Sequence, residues 1–504
     1  MSGGTRLIHR MNLLCSIVAI LWAAPAALYS AESLKLDPEN PHYFIFRGQR
    51  TILIGSSEHY SSVLNLDFNY SRYLDTVKAD GLNVTRLFTG TYHERPGIFA
   101  PGFPFHIVDN VLAPKPESFL PPWPRTNQSG AVDGGNKFDL NKWNDAYFER
   151  LIDFVQQASQ RGIVVEVSLF SPYYSDYLWA VSPFNARNNV NGIGNFANRA
   201  GALSLKDSKL VAVQDAMVEQ IVKQLRGFDN VYYEICNEPY LDGVPLDWQA
   251  HIANTIVKAE SRFQTTHLIA QEISLGGEKI DHFLPQASIF TFHLARPPNG
   301  VTLNYGLGKA IGYNESGGSD GTTDAPYRIQ SWEFLMAGGA LVDLLDYSFT
   351  VGHEDGSFVV PPKQPAGGSA TLRRQLAVLH TFMNGLDFAI MSPSAKVIKA
   401  GVPENASAYA LAEAGKIYAI YIGHGRLLKD KSVLSNYFVD RAPQKVSLTL
   451  DLPAGSYNAT WIDPKTGGIS KDETFSSRGD AQTRIQSPTY SEDIALKITR
   501  TLGS

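Results

Sequence analysis

The chain has 504 residues, of which 44% are hydrophobic and 18% charged, the make-up of a globular protein with a large buried core. That length suits one large domain with a smaller one attached. A net charge of -5 gives no basis for nucleic acid or an anionic membrane as a partner.

Arg6, His9 and Arg10 precede an apolar run from Leu13 to Trp22, and small residues follow through Ala31. This is the pattern of a secretory signal peptide over 1–31, expected to be cleaved between Ala27 and Ala31. The run is too short for a stable membrane anchor. Cys15 lacks small residues just before it, so no lipid attachment is expected. Once the signal is removed only Cys236 remains, and no internal disulfide can form. The expectation is a bacterial protein, secreted or periplasmic, with Cys236 a small buried hydrophobe.

Short apolar runs with few charges recur at 51–57, 83–89, 163–169, 231–237, 267–272, 288–293, 309–314 and 340–347. They read as strands buried on both faces. Amphipathic stretches lie between them at 70–80, 145–161, 209–226, 248–263 and 329–337. Eight strands alternating with helices predict an α/β fold, a (β/α)8 TIM barrel over 32–390 that ends with a helix near 371–386. Alternation alone also fits an open doubly wound sheet, but no phosphate-binding glycine pattern follows the first strand.

Two insertions follow the second and third strands, where a barrel would place its catalytic face. The first, 92–140, contains Pro121-Pro-Trp-Pro124; the second, 171–204, carries Tyr173, Tyr174, Tyr177, Trp179 and several asparagines. Rings and amides together suit a wall that stacks and hydrogen-bonds sugars, and equally a lid packed over the mouth. Past 391 the pattern becomes short alternating strands with turn signals, at 408–412, 417–421, 444–450, 455–461 and 494–498. These predict a small C-terminal β-sandwich over 391–504. Its segment 455–467 resembles the module attached to many bacterial glycoside hydrolase barrels.

The stretch Val231-Tyr-Tyr-Glu-Ile-Cys-Asn-Glu-Pro-Tyr240 is a β-rich run that stops at Pro239, which cannot donate to a sheet ladder. Glu238 is therefore left at the carboxyl end of a buried strand, where a carboxylate must be solvated, paired or catalytic. Glu234 is a second acid on the same strand.

Asn237-Glu238-Pro239 resembles the acid/base motif of glycoside hydrolase clan A, and within that clan the chain looks similar to cellulase-like and apiosidase-like bacterial barrels. The resemblance implies a second glutamate, the nucleophile, ending the seventh strand, and Ala310-Ile-Gly-Tyr-Asn-Glu315 supplies Glu315 there. It implies a retaining glycoside hydrolase acting on a poly- or oligosaccharide or a glycoside by double displacement, with no cofactor and no metal. Such chemistry needs the two carboxyl groups roughly 5–5.5 Å apart. Glu238 is expected to be protonated at rest through burial and the neighbouring charge. Arg86 matches the arginine that supports the nucleophile; a structural ion pair, for instance with Glu58, fits it as well. Asn237 matches the residue that bonds the sugar 2-hydroxyl. His293 sits where the clan often places a His or Tyr near the pair.

Glu58 and His59, ending the first strand, are candidates for a terminal sugar hydroxyl. Tyr313 and Asn314 could aim into the cleft, and Trp179 could stack on a sugar. Glu272, ending the fifth strand, rivals Glu315 as nucleophile, although Gly317 and Gly318 favour close substrate approach at Glu315. His353-Glu354-Asp355 reads as a solvated loop. Two other classes stay open. A metal-dependent hydrolase could draw on His59, His93, His293, His353, Asp343 and Asp346, which form no metal-binding spacing. A non-catalytic carbohydrate-binding barrel could carry the same sequence.

Overall fold

The eight strands predicted before residue 350 become short, largely buried elements, and together they close into a barrel. The computed structural model describes residues 1, 3, 32–96, 107–315, 324–361, 364, 367–428 and 437–501. The signal-peptide expectation, with Cys15, lies outside these residues, as do Gly317 and Gly318. The barrel strands are β1 (Leu53–Ser57), β2 (Val84–Phe88), β3 (Val164–Ser168), β4 (Val231–Glu234), β5 (Ile269–Leu275), β6 (Ile289–His293), β7 (Ala310–Glu315) and β8 (Leu341–Leu345). Each pairs in parallel with its neighbours in sequence, and β8 returns to β1. Closure rules out the open doubly wound sheet.

Helices follow the strands as the amphipathic stretches require. α1 (Tyr70–Ala79), α2 (Asp145–Arg161), α3 (Ser208–Leu225) and α4 (Leu246–Glu260) turn their apolar stripes onto the barrel. Side chains of Asn69 and Asp207 cap α1 and α3. Gly162 ends α2 with φ 72°, a left-handed cap that glycine adopts without strain. Gly55 in β1 is demanded by crowding: a Cβ there would lie 2.6 Å from the Val84 carbonyl and 2.4 Å from Asp343 Oδ1.

The C-terminal domain is a six-stranded antiparallel sheet facing a three-stranded one, with its own core around Ile420, Leu448, Tyr457, Trp461 and Leu496. Its strands Ile469–Ser477 and Thr483–Gln486 escape the sequence reading because polar and exposed residues dominate them. A three-stranded sheet over 35–51 and a hairpin within the first insertion were likewise not anticipated.

One helix joins the two domains. α5 (Ala325–Met336) is buried along its whole length, because the barrel covers one side and the sandwich the other. Its periodicity is blurred for that reason, and the predicted start at 329 falls four residues late. Trp332 stacks on Tyr421 of the sandwich at 5.2 Å. Arg328 binds both oxygens of Asp493 at 2.9 Å and reaches Glu492 at 2.8 Å. Losing one partner of such a buried pair costs more than losing both. Arg328→Ala is therefore expected to lower unfolding free energy by about 3–5 kcal/mol. Arg328→Leu/Asp493→Leu should recover much of that loss in denaturant titrations.

Candidate active site

The carboxyl ends of β2, β3, β4, β5, β6 and β7 converge on one buried charge cluster. Register starts it: Arg86 of β2 stands opposite Glu166 of β3, and Ser168 of β3 opposite Glu234 of β4. All four side chains point into the barrel with no exposure. Arg86 Nε lies 2.9 Å from Glu166, and its guanidinium pairs with Glu234, which Ser168 also bonds. Asn314 of β7 donates to Glu166 and Glu234 at 2.9 and 3.0 Å. Arg86 thus has structural partners, Glu166 and Glu234, in place of the suggested Glu58. It also donates to Asn237 Oδ1 at 2.8 Å and comes within 3.9 Å of Glu315.

Above this cluster stand Glu238 and Glu315, with His293 between them. His293 and Glu315 are register partners at the ends of β6 and β7. His293 Nδ1 is 3.1 Å from Glu238 Oε1 and 3.9 Å from Glu315 Oε1. One oxygen from each glutamate and a His293 ring nitrogen all lie within 4.8 Å of one another. Tyr60 donates to Glu315 Oε2 at 3.0 Å, and its ring lies under the Arg86 guanidinium. Asn237 donates to the Tyr174 hydroxyl at 2.6 Å. Glu272 lies behind Glu238 as a support: it accepts the Glu238 backbone N–H and the Tyr240 hydroxyl, each at 2.9 Å. Its Oε1 is 3.2 Å from His293 Nε2.

The backbone is strained here. Tyr60, Tyr174, Glu238 and Leu294, in the turns leaving β1, β3, β4 and β6, have φ of 55°, 55°, 40° and 50°. Non-glycine residues in this region cost about 1–3 kcal/mol each and gather where function over-determines geometry.

Burial and mutual charge set the protons. Burial alone would lower His293, but Glu272, Glu315 and Glu238 together push it up to about 10. Burial would raise Glu238; the hydrogen bond and charge of His293 outweigh that and hold it below the ordinary carboxyl range. This runs against the expectation of a Glu238 proton at rest: the charge of His293 favours the ionised carboxylate. Glu315 is held above the ordinary value by burial, against the charge of His293, with Glu238 adding to the rise. Burial raises Glu272 to about 8.

Several candidate residues lie elsewhere. Glu58 is fully buried and its Oε1 accepts from the Ser62 N–H and hydroxyl, which holds the turn after β1. Tyr313 is buried outside the barrel wall, bonded to Gln330 of α5 at 2.9 Å. Trp179 is 2% exposed and packs on Tyr173 and Phe196 within its loop. Cys236 is buried, as expected. Among the residues of the metal alternative, His353 bonds Ser357, His93 stacks on Phe119, Asp343 accepts from Ser57, and Asp346 pairs with Arg373. The ligand group found among the described residues is Glu238, His293 and Glu315 itself. Tyr60, Tyr240, Glu166 and Glu94 were passed over in the sequence; the two tyrosines flank the motifs that named their neighbours.

Residues 46–270 match the profile of the Cellulase family, described as glycosyl hydrolase family 5. No curated protein matches the chain. A solved structure titled glycoside hydrolase superposes with TM-score 0.58 at 13% identity, covering 94% of this chain and 98% of its own. A glycoside hydrolase family 5 structure from Bacteroides vulgatus gives 0.58 at 13% identity, with 93% and 94% covered. At that identity the two structures attest the fold, a barrel with a C-terminal sandwich. The profile adds a match to the family 5 cellulase domain over residues 46–270, within the barrel.

Proposed function

We infer that the protein hydrolyses glycosidic bonds with retention of configuration, Glu315 acting as nucleophile and Glu238 as acid/base. The observation that carries this reading is the approach of the two carboxylates to within 4.8 Å at the barrel mouth. Retaining glycosidases hold their pair about 5–5.5 Å apart, whereas inverting ones leave about 6.5–9.5 Å for a water. Glu315 attacks the anomeric carbon while Arg86 and the Tyr60 hydroxyl stabilise its charge. Glu238 protonates the departing oxygen, using the proton held 3.1 Å away on His293. The glycosyl–Glu315 ester is then hydrolysed by a water from which Glu238 takes a proton. Asn237, oriented by Arg86 and Tyr174, is placed to bond the sugar hydroxyl beside the anomeric centre. The N-terminal segment supports export, and no helix among the described residues is long and apolar enough to cross a membrane.

Acid catalysis matters least when the leaving group is already good. Glu238→Ala is expected to cost on the order of 10²–10⁴ in kcat/KM on alkyl glycosides and far less on dinitrophenyl glycosides. An equal loss on both would remove Glu238 from the acid role.

Glu238 and His293 share one proton, so the active form persists until that pair deprotonates. With His293 raised to about 10, the alkaline limb of kcat/KM should lie well above neutrality. His293→Ala removes the shared site and should move that limb down by about one pH unit or more. A limb unmoved in His293→Ala would show that the proton comes from elsewhere.

A further inference from the structure

The turns after β1 and β2 build a second polar cluster on the Glu315 side, which the two-carboxylate step does not use. It consists of His59, Glu94 and Asn110, with His59 6% and Glu94 2% exposed. The Asn110 amide is fixed in one sense: Oδ1 accepts the Leu112 backbone N–H at 3.0 Å, and Nδ2 donates to Glu94. The 2.8 Å contact between this Oδ1 and His59 Nδ1 therefore needs the proton on Nδ1. His59 Nε2 is left with a lone pair. Burial holds His59 down at about 4, so the neutral ring persists at working pH.

Glu94 Oε1 already accepts the Tyr92 hydroxyl at 2.9 Å. His59 Nε2 faces this oxygen across 3.7 Å, and no donor among the described residues stands between them. His59 Nε2 accepts from no described residue, and Glu94 Oε1 keeps a lone pair beside its Tyr92 bond; buried acceptors of this kind normally find partners. Two O–H groups on adjacent carbons would supply one donor to each acceptor at about 2.8 Å. The flanking surface suits the carbon face of such a ring. His59 lies edge-on to Tyr347 at 5.1 Å and to Tyr60 at 5.9 Å, and Tyr60 is bonded to Glu315.

We propose that His59 Nε2 and Glu94 form a specificity-determining subsite for two adjacent hydroxyls of the sugar that becomes bonded to Glu315. The assignment rests on Glu315 as nucleophile. It pairs His59 with Glu94, whereas the sequence offered Glu58, whose Oε1 is taken up by Ser62. Burial raises Glu94 to about 7, against the hydrogen bonds of Asn110 and Tyr92 and with Glu315 adding to the rise. The other titratable groups facing it are His59 and Tyr347. Ionised Glu94 accepts a sugar hydroxyl; once protonated it can instead donate to His59 Nε2 and close the subsite. Sugar affinity should therefore fall as pH drops below about 7.

The test is calorimetric titration of glucose, mannose, galactose, xylose and their mono-deoxy derivatives into the wild type, Glu94→Gln and His59→Ala. At pH 8 at least one parent sugar should bind the wild type about tenfold or more tightly than either variant, the loss of one charged or one neutral hydrogen bond. The derivative lacking one of the adjacent hydroxyls should bind wild type and Glu94→Gln alike. Wild-type affinity for the parent should also drop about tenfold between pH 8 and pH 5.5, an arm that needs no variant to fold. No sugar binding, binding indifferent to Glu94→Gln, or a flat pH dependence would each overturn the subsite. Glu94-dependent binding with no covalent capture of a sugar at Glu315 would uphold the subsite and refute the nucleophile assignment instead.

Discussion

A single buried guanidinium, Arg86, keeps the strand ends of this barrel together. Parallel closure drives Glu166, Glu234, Glu272 and Glu315 into the same dry space, and each would be costly there alone. Arg86 touches all four, at distances from close contact to 3.9 Å. It also fixes Asn237 and spreads over the Tyr60 ring, so the groups beside Glu238 and Glu315 are oriented by the charge that makes their burial tolerable. Removing it would leave several carboxylates uncompensated, which costs far more than the net value of any one pair.

Unequal environments follow from that arrangement. Glu234 is lowered by Arg86 in spite of burial, while Glu166 is pushed well up by burial and the Glu234 charge, against Arg86 and the Tyr232 hydroxyl. Glu238 and Glu315 are split by His293 in the same manner. The split favours an ionised Glu238 and a charged His293, 3.1 Å apart. A sugar that displaces water from the mouth would disfavour the separated charges and favour the neutral ring with the neutral acid.

Much of the fold was legible because it is written in local signals. The short apolar runs and Pro239 mark strands and their ends, and amphipathic stretches mark helices almost to their caps. The sandwich strand Ile469–Ser477 was not, because its polar, largely exposed residues carry little hydrophobic signal. Glu238 could be named from its position at a strand end, and Glu315 and His293 from the resemblance to clan A. Tyr60, Glu166 and Tyr240 could not, because their meaning lies in partners 255, 66 and 32 residues away in sequence. Tyr313 shows the opposite failure. Its neighbour Asn314 points into the barrel, so the alternation of a strand sends Tyr313 outward to α5.

The central claim is that a covalent glycosyl–enzyme forms on Glu315. A panel of 2-deoxy-2-fluoro dinitrophenyl glycosides tests it directly, because the fluorine slows hydrolysis of the intermediate and lets it accumulate. Intact mass should rise by one fluorosugar, and peptide mapping should place the label on Glu315. A label on Glu272, or active turnover with no label and an inverted product, would contradict the account.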